Sequence, residues 1–150
     1  MDIIEKKITK RHLNESKISG VNYYNCIFER IQLDNFNFRD CEFEKCRFIN
    51  CSIKNLKLNF FKLIDCEFKD CLLQGVNASE IMFPCTFSLE NCDLRFVDFI
   101  GLRLQKSFFY PVASVIVYLR KQTFVNLILL AQSLIIQSSD ILICLTVIFQ

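Results

Sequence analysis

The chain has 150 residues, a length that suits a single domain. Its 18 basic residues nearly balance its 16 acidic residues, which argues against a nucleic-acid binder with one strongly basic face. It has only three glycines and two prolines, although ordinary sheet proteins use both residues to reverse the direction of the chain.

The chain opens with a charged lead-in, residues 1–10. This segment has no apolar core of the kind that a secretory signal needs. Nine cysteines in a chain without such a signal indicate free thiols in a reducing compartment. We therefore expect a cytoplasmic protein without disulfide bonds.

From residue 11 to residue 109, apolar residues recur at every fifth position. A helix does not have this period, because a step of five rotates successive residues by about 140° around the axis. A single strand does not have it either, because a step of five alternates between the two faces. A solenoid whose every face is one five-residue unit fits, with coils stacked as parallel strands about 4.8 Å apart. The central column of this repeat is Phe28, Leu33, Phe38, Phe43, Phe48, Ile53, Leu58, Leu63, Phe68, Leu73, Leu94, Phe99 and Leu104.

A second inward position precedes each centre by two residues and is often cysteine. The spacing of Cys41 and Cys46 falls within the range found in zinc sites. However, a small hydrophobe in a narrow inward position accounts for these cysteines without a metal, so we expect neither a metal nor another cofactor. This second inward column contains Cys26, Cys41, Cys46, Cys51, Cys66, Cys71 and Cys92.

The five-residue register shifts once. From Leu73 the step would continue to Ala78 and Phe83, but from Leu89 onward the centres are one residue out of phase. The slip lies at about residues 79–88, where Pro84 stands, and it predicts a bulge or a small loop. A loop on a rigid scaffold is also a candidate contact for a partner.

Residues 110–150 form an apolar tail of a different character. Its only charged residues are Arg120, Lys121 and Asp140. One hypothesis is a membrane anchor, although polar residues interrupt the best window of about 20 residues that a span needs. The other is a −1 slip of the reading frame near Phe109. Codons for Phe, Leu, Ile and Val have T as their second base, and after such a slip this T becomes the first base of the codon for the residue printed here. Every fifth residue from Phe109 onward has a codon that can begin with T. In the second case the tail has no selected fold, and the sequence leaves both hypotheses open.

The five-residue repeat resembles the pentapeptide-repeat family, and the resemblance covers about residues 11–109. It implies an all-β fold, a right-handed quadrilateral β-helix with four repeats in each coil, followed here by the non-repeat tail. Residues twenty positions apart would then stack on one face. Cys26, Cys46 and Cys66 would form one ladder, and Cys51 and Cys71 another.

Three runs narrow the resemblance: MDIIEK, NYYNCIFERIQLDNFNFRDCEFEKCRF and LENCDLRFVDF. They are similar to the microcin immunity proteins that protect DNA gyrase from microcin B, and to the quinolone-resistance pentapeptide proteins. The resemblance implies a binding partner of DNA gyrase or a related type II topoisomerase, which occupies the DNA-binding region of the enzyme and does not itself bind nucleic acid. Full-length relatives dimerise through a C-terminal segment that is missing here, which predicts a truncated, impaired form that is prone to aggregate.

The outward charges provide the candidate partner surface. The alternative explanation is that they only keep a solenoid soluble, and the alternative function is a membrane-tethered structural repeat protein. His12 is the only histidine, and no glycine-rich phosphate loop is present, so we do not expect an enzyme. The candidate acids are Glu42, Glu44, Asp65, Glu67, Asp70, Glu90, Asp93 and Asp98.

Overall fold

A computed structural model describes residues 1–13, 17–78 and 81–98, and beyond them the backbone of five short strands. A single turn of 3-10 helix spans Lys10–His12. The strands in chain order are β1 (Asp2–Ile4), β2 (Lys7–Ile8), β3 (Lys17–Ser19), β4 (Asn22–Tyr24), β5 (Ile27–Glu29), β6 (Asn37–Arg39), β7 (Glu42–Glu44), β8 (Arg47–Ile49), β9 (Lys57–Asn59), β10 (Lys62–Ile64), β11 (Cys66–Lys69), β12 (Phe87–Glu90), β13 (Val97–Asp98), β14 (Phe108–Phe109), β15 (Ile116–Tyr118), β16 (Ile128–Leu129), β17 (Leu134–Gln137) and β18 (Leu142–Leu145).

Successive coils pair as parallel strands at a spacing of twenty residues. Tyr23 is in register with Phe43, and Phe43 with Leu63. Each coil has four faces. The first face contains β1, β4, β7 and β10, the second contains β2, β5, β8, β11 and β12, and the fourth contains β3, β6 and β9. The third face is joined by isolated bridges, such as that between Gln32 and Ser52. This arrangement confirms the predicted all-β, four-sided β-helix.

Every fifth residue turns the chain from one face to the next. The corner residue adopts a left-handed backbone, for example φ 51° at Asn25 and φ 50° at Asp40. Its N–H donates to the coil above, as Asn25 does to the carbonyl oxygen of Glu44 at 2.9 Å. Asn, Asp and Gly tolerate this conformation best. The corners thus need little glycine and no proline, which explains the unusual composition.

Aromatic rings stack along the interior. The ring of Phe48 lies 4.6 Å from that of Phe28 and 4.6 Å from that of Phe68, and both pairs are nearly parallel. Burial of such large side chains stabilises the fold strongly. Every described member of the predicted central column is buried. Phe99 and Leu104 lie outside the described residues.

The predicted second column is also buried, and its thiols satisfy backbone carbonyl groups. The single thiol proton of Cys46 lies within donating distance of two carbonyl oxygens, that of Tyr23 at 3.4 Å and that of Glu44 at 3.5 Å. The other six thiols repeat this pattern, each with one carbonyl group in its own coil and one in the coil below. Cys46 and Cys66 contact each other, and this contact together with burial raises the pKa of Cys66. The cysteines in the described part of the chain are free thiols.

The register changes within one coil. Phe61 still pairs with Ile81, twenty residues on, but Cys66 pairs with Phe87, twenty-one residues on. One additional residue is therefore accommodated between Ile81 and Phe87. The Phe83–Pro84 peptide bond in this segment is cis.

The five strands beyond residue 98 continue two of the faces. β14 and β16 extend the second face in parallel, β15 and β17 follow β13, and β18 pairs with β17 in an antiparallel manner. Among the residues that the structure describes, no helix has the length and apolar character needed to cross a membrane. Most of residues 110–150 lies outside the described residues, so the frameshift and membrane-anchor hypotheses remain predictions.

Candidate partner-binding surface

The eight predicted acids do not form one surface. Because each coil has four faces, acids that are close in sequence lie on different sides of the rod. Each face includes the corner residue that ends it. The structure places Glu42, Glu44 and Asp65 on the first face, Glu67, Asp70 and Glu90 on the second, Asp93 on the third and Asp98 on the fourth.

The first face has an excess of negative charge. It carries five acids against two lysines, and only Glu42 and Glu44 pair with those lysines: Glu42 with Lys62 at 3.0 Å and Glu44 with Lys45 at 3.6 Å. The side chains named here therefore sum to −3. The five acids are Asp2, Glu5, Glu42, Glu44 and Asp65.

The second face has the opposite balance. Six bases and four acids sum to +2 over the described residues. Lys7 pairs with Glu29, and the hydrogen bond from Lys7 lowers the pKa of Glu29. Lys69 pairs with Glu90 at 2.6 Å. A basic partner surface is therefore complementary to the first face rather than to the second.

An exposed apolar cluster adjoins the first face. We define it as Phe60, Met82 and Phe83, whose side chains are 54, 42 and 60% exposed. Phe60 is the corner residue that leads into this face. The next residue, Phe61, bridges Ile81 and accepts a hydrogen bond from the Met82 N–H at 2.7 Å. Phe60 thus stands at the corner before the first face in one coil, and Met82 and Phe83 follow near the start of this face in the next coil.

The additional residue in the coil is what exposes Phe83. The step of twenty from Phe43 and Leu63 leads to Phe83, so the five-residue pattern places it in the central column. The structure instead buries Cys85 and turns Phe83 outward. The smaller side chain of Cys85 thus fills the interior of this coil, and the large side chain of Phe83 becomes part of the surface.

Phe60 is not among the residues that the sequence predicted to contact a partner. The available signal was its position, since it stands where most other repeats have Asn, Asp, Lys, Arg or Gly. Attention to the inward columns alone hides this signal. His12 lies on the surface, and its Nδ1 accepts a hydrogen bond from the Thr9 N–H at 3.0 Å.

The described residues offer little for chemistry. None of their His, Cys, Asp and Glu side chains form a group of three or more that could hold a metal. An interior cavity of about 60 Å³ has an entirely apolar lining, so it provides no polar group to orient a small molecule.

The five-residue repeat and the four-sided β-helix together define a pentapeptide-repeat solenoid. No model of a known protein family matches the chain. The chain is 91% identical over 109 residues to Protein McbG from Escherichia coli. This match covers 73% of the chain and 58% of McbG, so the chain spans less than two thirds of that relative's length.

Solved structures of QnrB1, described as a plasmid-mediated fluoroquinolone resistance protein, are also similar. One trypsin-treated variant matches with a TM-score of 0.45 and 16% identity, over 93% of this chain and 90% of that one. Full-length QnrB1 matches with a TM-score of 0.35 and 15% identity, over 93% and 92% of the two chains. The identity with McbG confirms the predicted resemblance to the gyrase-protecting pentapeptide-repeat proteins.

Proposed function

We propose that this chain is a non-catalytic binding protein that engages DNA gyrase, or a related type II topoisomerase, and protects it from a poison such as microcin B or a quinolone. The observation that carries the proposal is the near-identity with McbG over 109 residues. It supports the resemblance to gyrase-protecting immunity proteins that the sequence runs indicate.

The first face provides the contact in this proposal. A surface that binds DNA is basic, because it neutralises phosphates with Lys and Arg. The first face presents Glu42 and Glu44 on one coil and Asp65 on the next coil of the rod. Opposite charge steers the two surfaces together and fixes their orientation. The chain would then compete with DNA at the enzyme, and no bond would be made or broken.

The proposal can be tested by supercoiling assays with purified gyrase, a poison and the full chain. The wild-type chain is expected to restore supercoiling. A triple variant, Glu42→Gln, Glu44→Gln and Asp65→Asn, neutralises the excess charge of the first face while it keeps the side-chain shapes. We expect about tenfold more of this variant to be needed for the same protection.

A matched control separates the position of the charge from its amount. The variant Glu29→Gln, Glu67→Gln and Glu90→Gln removes the same three negative charges from the second face. It should protect gyrase as well as the wild type does. Equal losses in the two variants would contradict the assignment to the first face, and failure of the wild-type chain to protect would contradict the proposed function.

A further inference from the structure

The corners of the solenoid follow a simple rule that two residues break. Corner residues have φ between 50° and 67°, and almost all are polar or glycine. Phe60, with φ 53°, and Phe96, with φ 62°, are the exceptions. Bulky residues rarely adopt this conformation, and both rings are more than half exposed.

A bulky, half-exposed residue in this backbone conformation adds little to the stability of the fold. Asn, which occupies the same position in several other coils, would suit the corner better. Local rules that a chain breaks without a structural gain often mark functional positions. The exposed aromatic ring is therefore the feature to be explained.

The surroundings of Phe60 differ from those of Phe96. Phe60 stands beside the acidic first face and belongs to the exposed apolar cluster with Met82 and Phe83. Phe96 stands at the corner between the third and fourth faces, away from this cluster. The two corner phenylalanines thus share a backbone conformation and an exposure but not a location.

We infer that the exposed apolar cluster is the anchor of the partner interface, and that it inserts into an apolar pocket on the basic protein surface that the first face contacts. Strong interfaces combine a few aromatic anchors with a charged rim that excludes water. Phe60, Met82 and Phe83 supply the anchor, and Glu42, Glu44 and Asp65 supply the rim. This inference rests on the proposed function, so the partner is the topoisomerase.

Phe60→Asn is the decisive variant, because it should weaken binding without lowering the stability of the fold. Asn relieves the unfavourable backbone, so the variant should melt at the same temperature as the wild type or at a higher one. Its Kd for purified gyrase, measured with the full chain, should rise about tenfold or more. A residue with a merely structural role would lose stability together with binding.

Phe96→Asn is the matched control, with the same change at the other phenylalanine corner. It should gain similar stability and keep the wild-type Kd. Met82→Ser tests the same cluster without altering a corner and should also weaken binding.

The two proposals fail in different ways. Wild-type Kd values in both Phe60→Asn and Met82→Ser would overturn the anchor and leave the proposed function standing. The same would follow if Phe96→Asn weakened binding as much as Phe60→Asn does. No binding of gyrase by the wild-type chain would overturn the proposed function and this inference with it.

Discussion

Residues 1–59 and residues 60–98 build the same solenoid but differ on its outside. The first segment has eleven bases and eight acids, a net charge of +3, and the second has three bases and seven acids, a net charge of −4. The large exposed hydrophobic residues of the first segment are Met1, Ile4 and Tyr24. Those of the described part of the second are Phe60, Leu72, Met82, Phe83 and Phe96.

This difference shows that the inward and the outward residues of the repeat vary independently. Inward residues keep one pattern along the rod because each coil must fill the same cross-section. Outward residues have no such constraint, so negative charge and exposed apolar surface can both accumulate in the second segment. The departures from regularity, rather than the repeat itself, therefore carry the proposed partner surface.

The sharpest contrast is between an inward and an outward phenylalanine. Phe48 lies between Phe28 and Phe68 and is 3% exposed, whereas Phe83 is 60% exposed. Phe48→Ala should lower the free energy of unfolding by about 3–5 kcal/mol. Phe83→Ala should change it by no more than about 0.5 kcal/mol. Urea unfolding of both variants measures these values, and a large loss from Phe83→Ala would mean that the ring belongs to the core.

The corner glycines offer a comparison of the two segments at the backbone. Gly20 and Gly75 both have positive φ, but an added Cβ meets open space at Gly20 and the side-chain oxygen of Asn55 at Gly75. Gly20→Ala should cost about 1 kcal/mol from the backbone alone. Gly75→Ala should cost more, about 2 kcal/mol, because Asn55 must also move. Equal costs, measured by thermal unfolding, would show that Asn55 moves without penalty.

The buried thiols predict a dependence of stability on pH. Burial raises the pKa of Cys85 to about 12. An unfolded thiol ionises near pH 8.5, so between that pH and about 12 the unfolded chain loses a proton that the folded chain retains. Stability is thus unaffected by this thiol below about pH 8.5 and falls as the pH rises above it.

Cys85→Ala isolates this contribution. The variant should be less stable at pH 7, because it leaves a small cavity, but its stability should fall less steeply between pH 8.5 and 10.5 than that of the wild type. Denaturation at a series of pH values under reducing conditions measures both slopes. Identical slopes would indicate that the Cys85 thiol ionises equally well in the folded and unfolded chains.

The sequence predicted the interior well and the exterior poorly, for a physical reason. A five-residue step determines which side chains point inward, so Phe28, Phe48 and Leu94 could be assigned before the structure was known. The step does not determine which residue an insertion expels. The sequence placed Phe83 within the predicted slip at about residues 79–88 but did not show which way its side chain points, and the change of pairing between Ile81 and Phe87 explains its exposure.

The candidate acids show a second limit of prediction from the sequence. They were selected as outward residues, which is a property of one repeat, whereas a surface is a property of several coils. With four repeats in each coil, neighbouring acids such as Asp65 and Glu67 lie on different faces. Grouping the acids by their position modulo twenty would have separated the first face from the second.

The most direct test of the account is a binding titration. The full chain, labelled with a fluorophore, is titrated with purified gyrase, and duplex DNA is then added as a competitor. The account predicts saturable binding that DNA reverses, because the acidic first face and the phosphates of DNA occupy the same basic surface. Absence of binding, or binding that a large excess of DNA leaves unchanged, would contradict it.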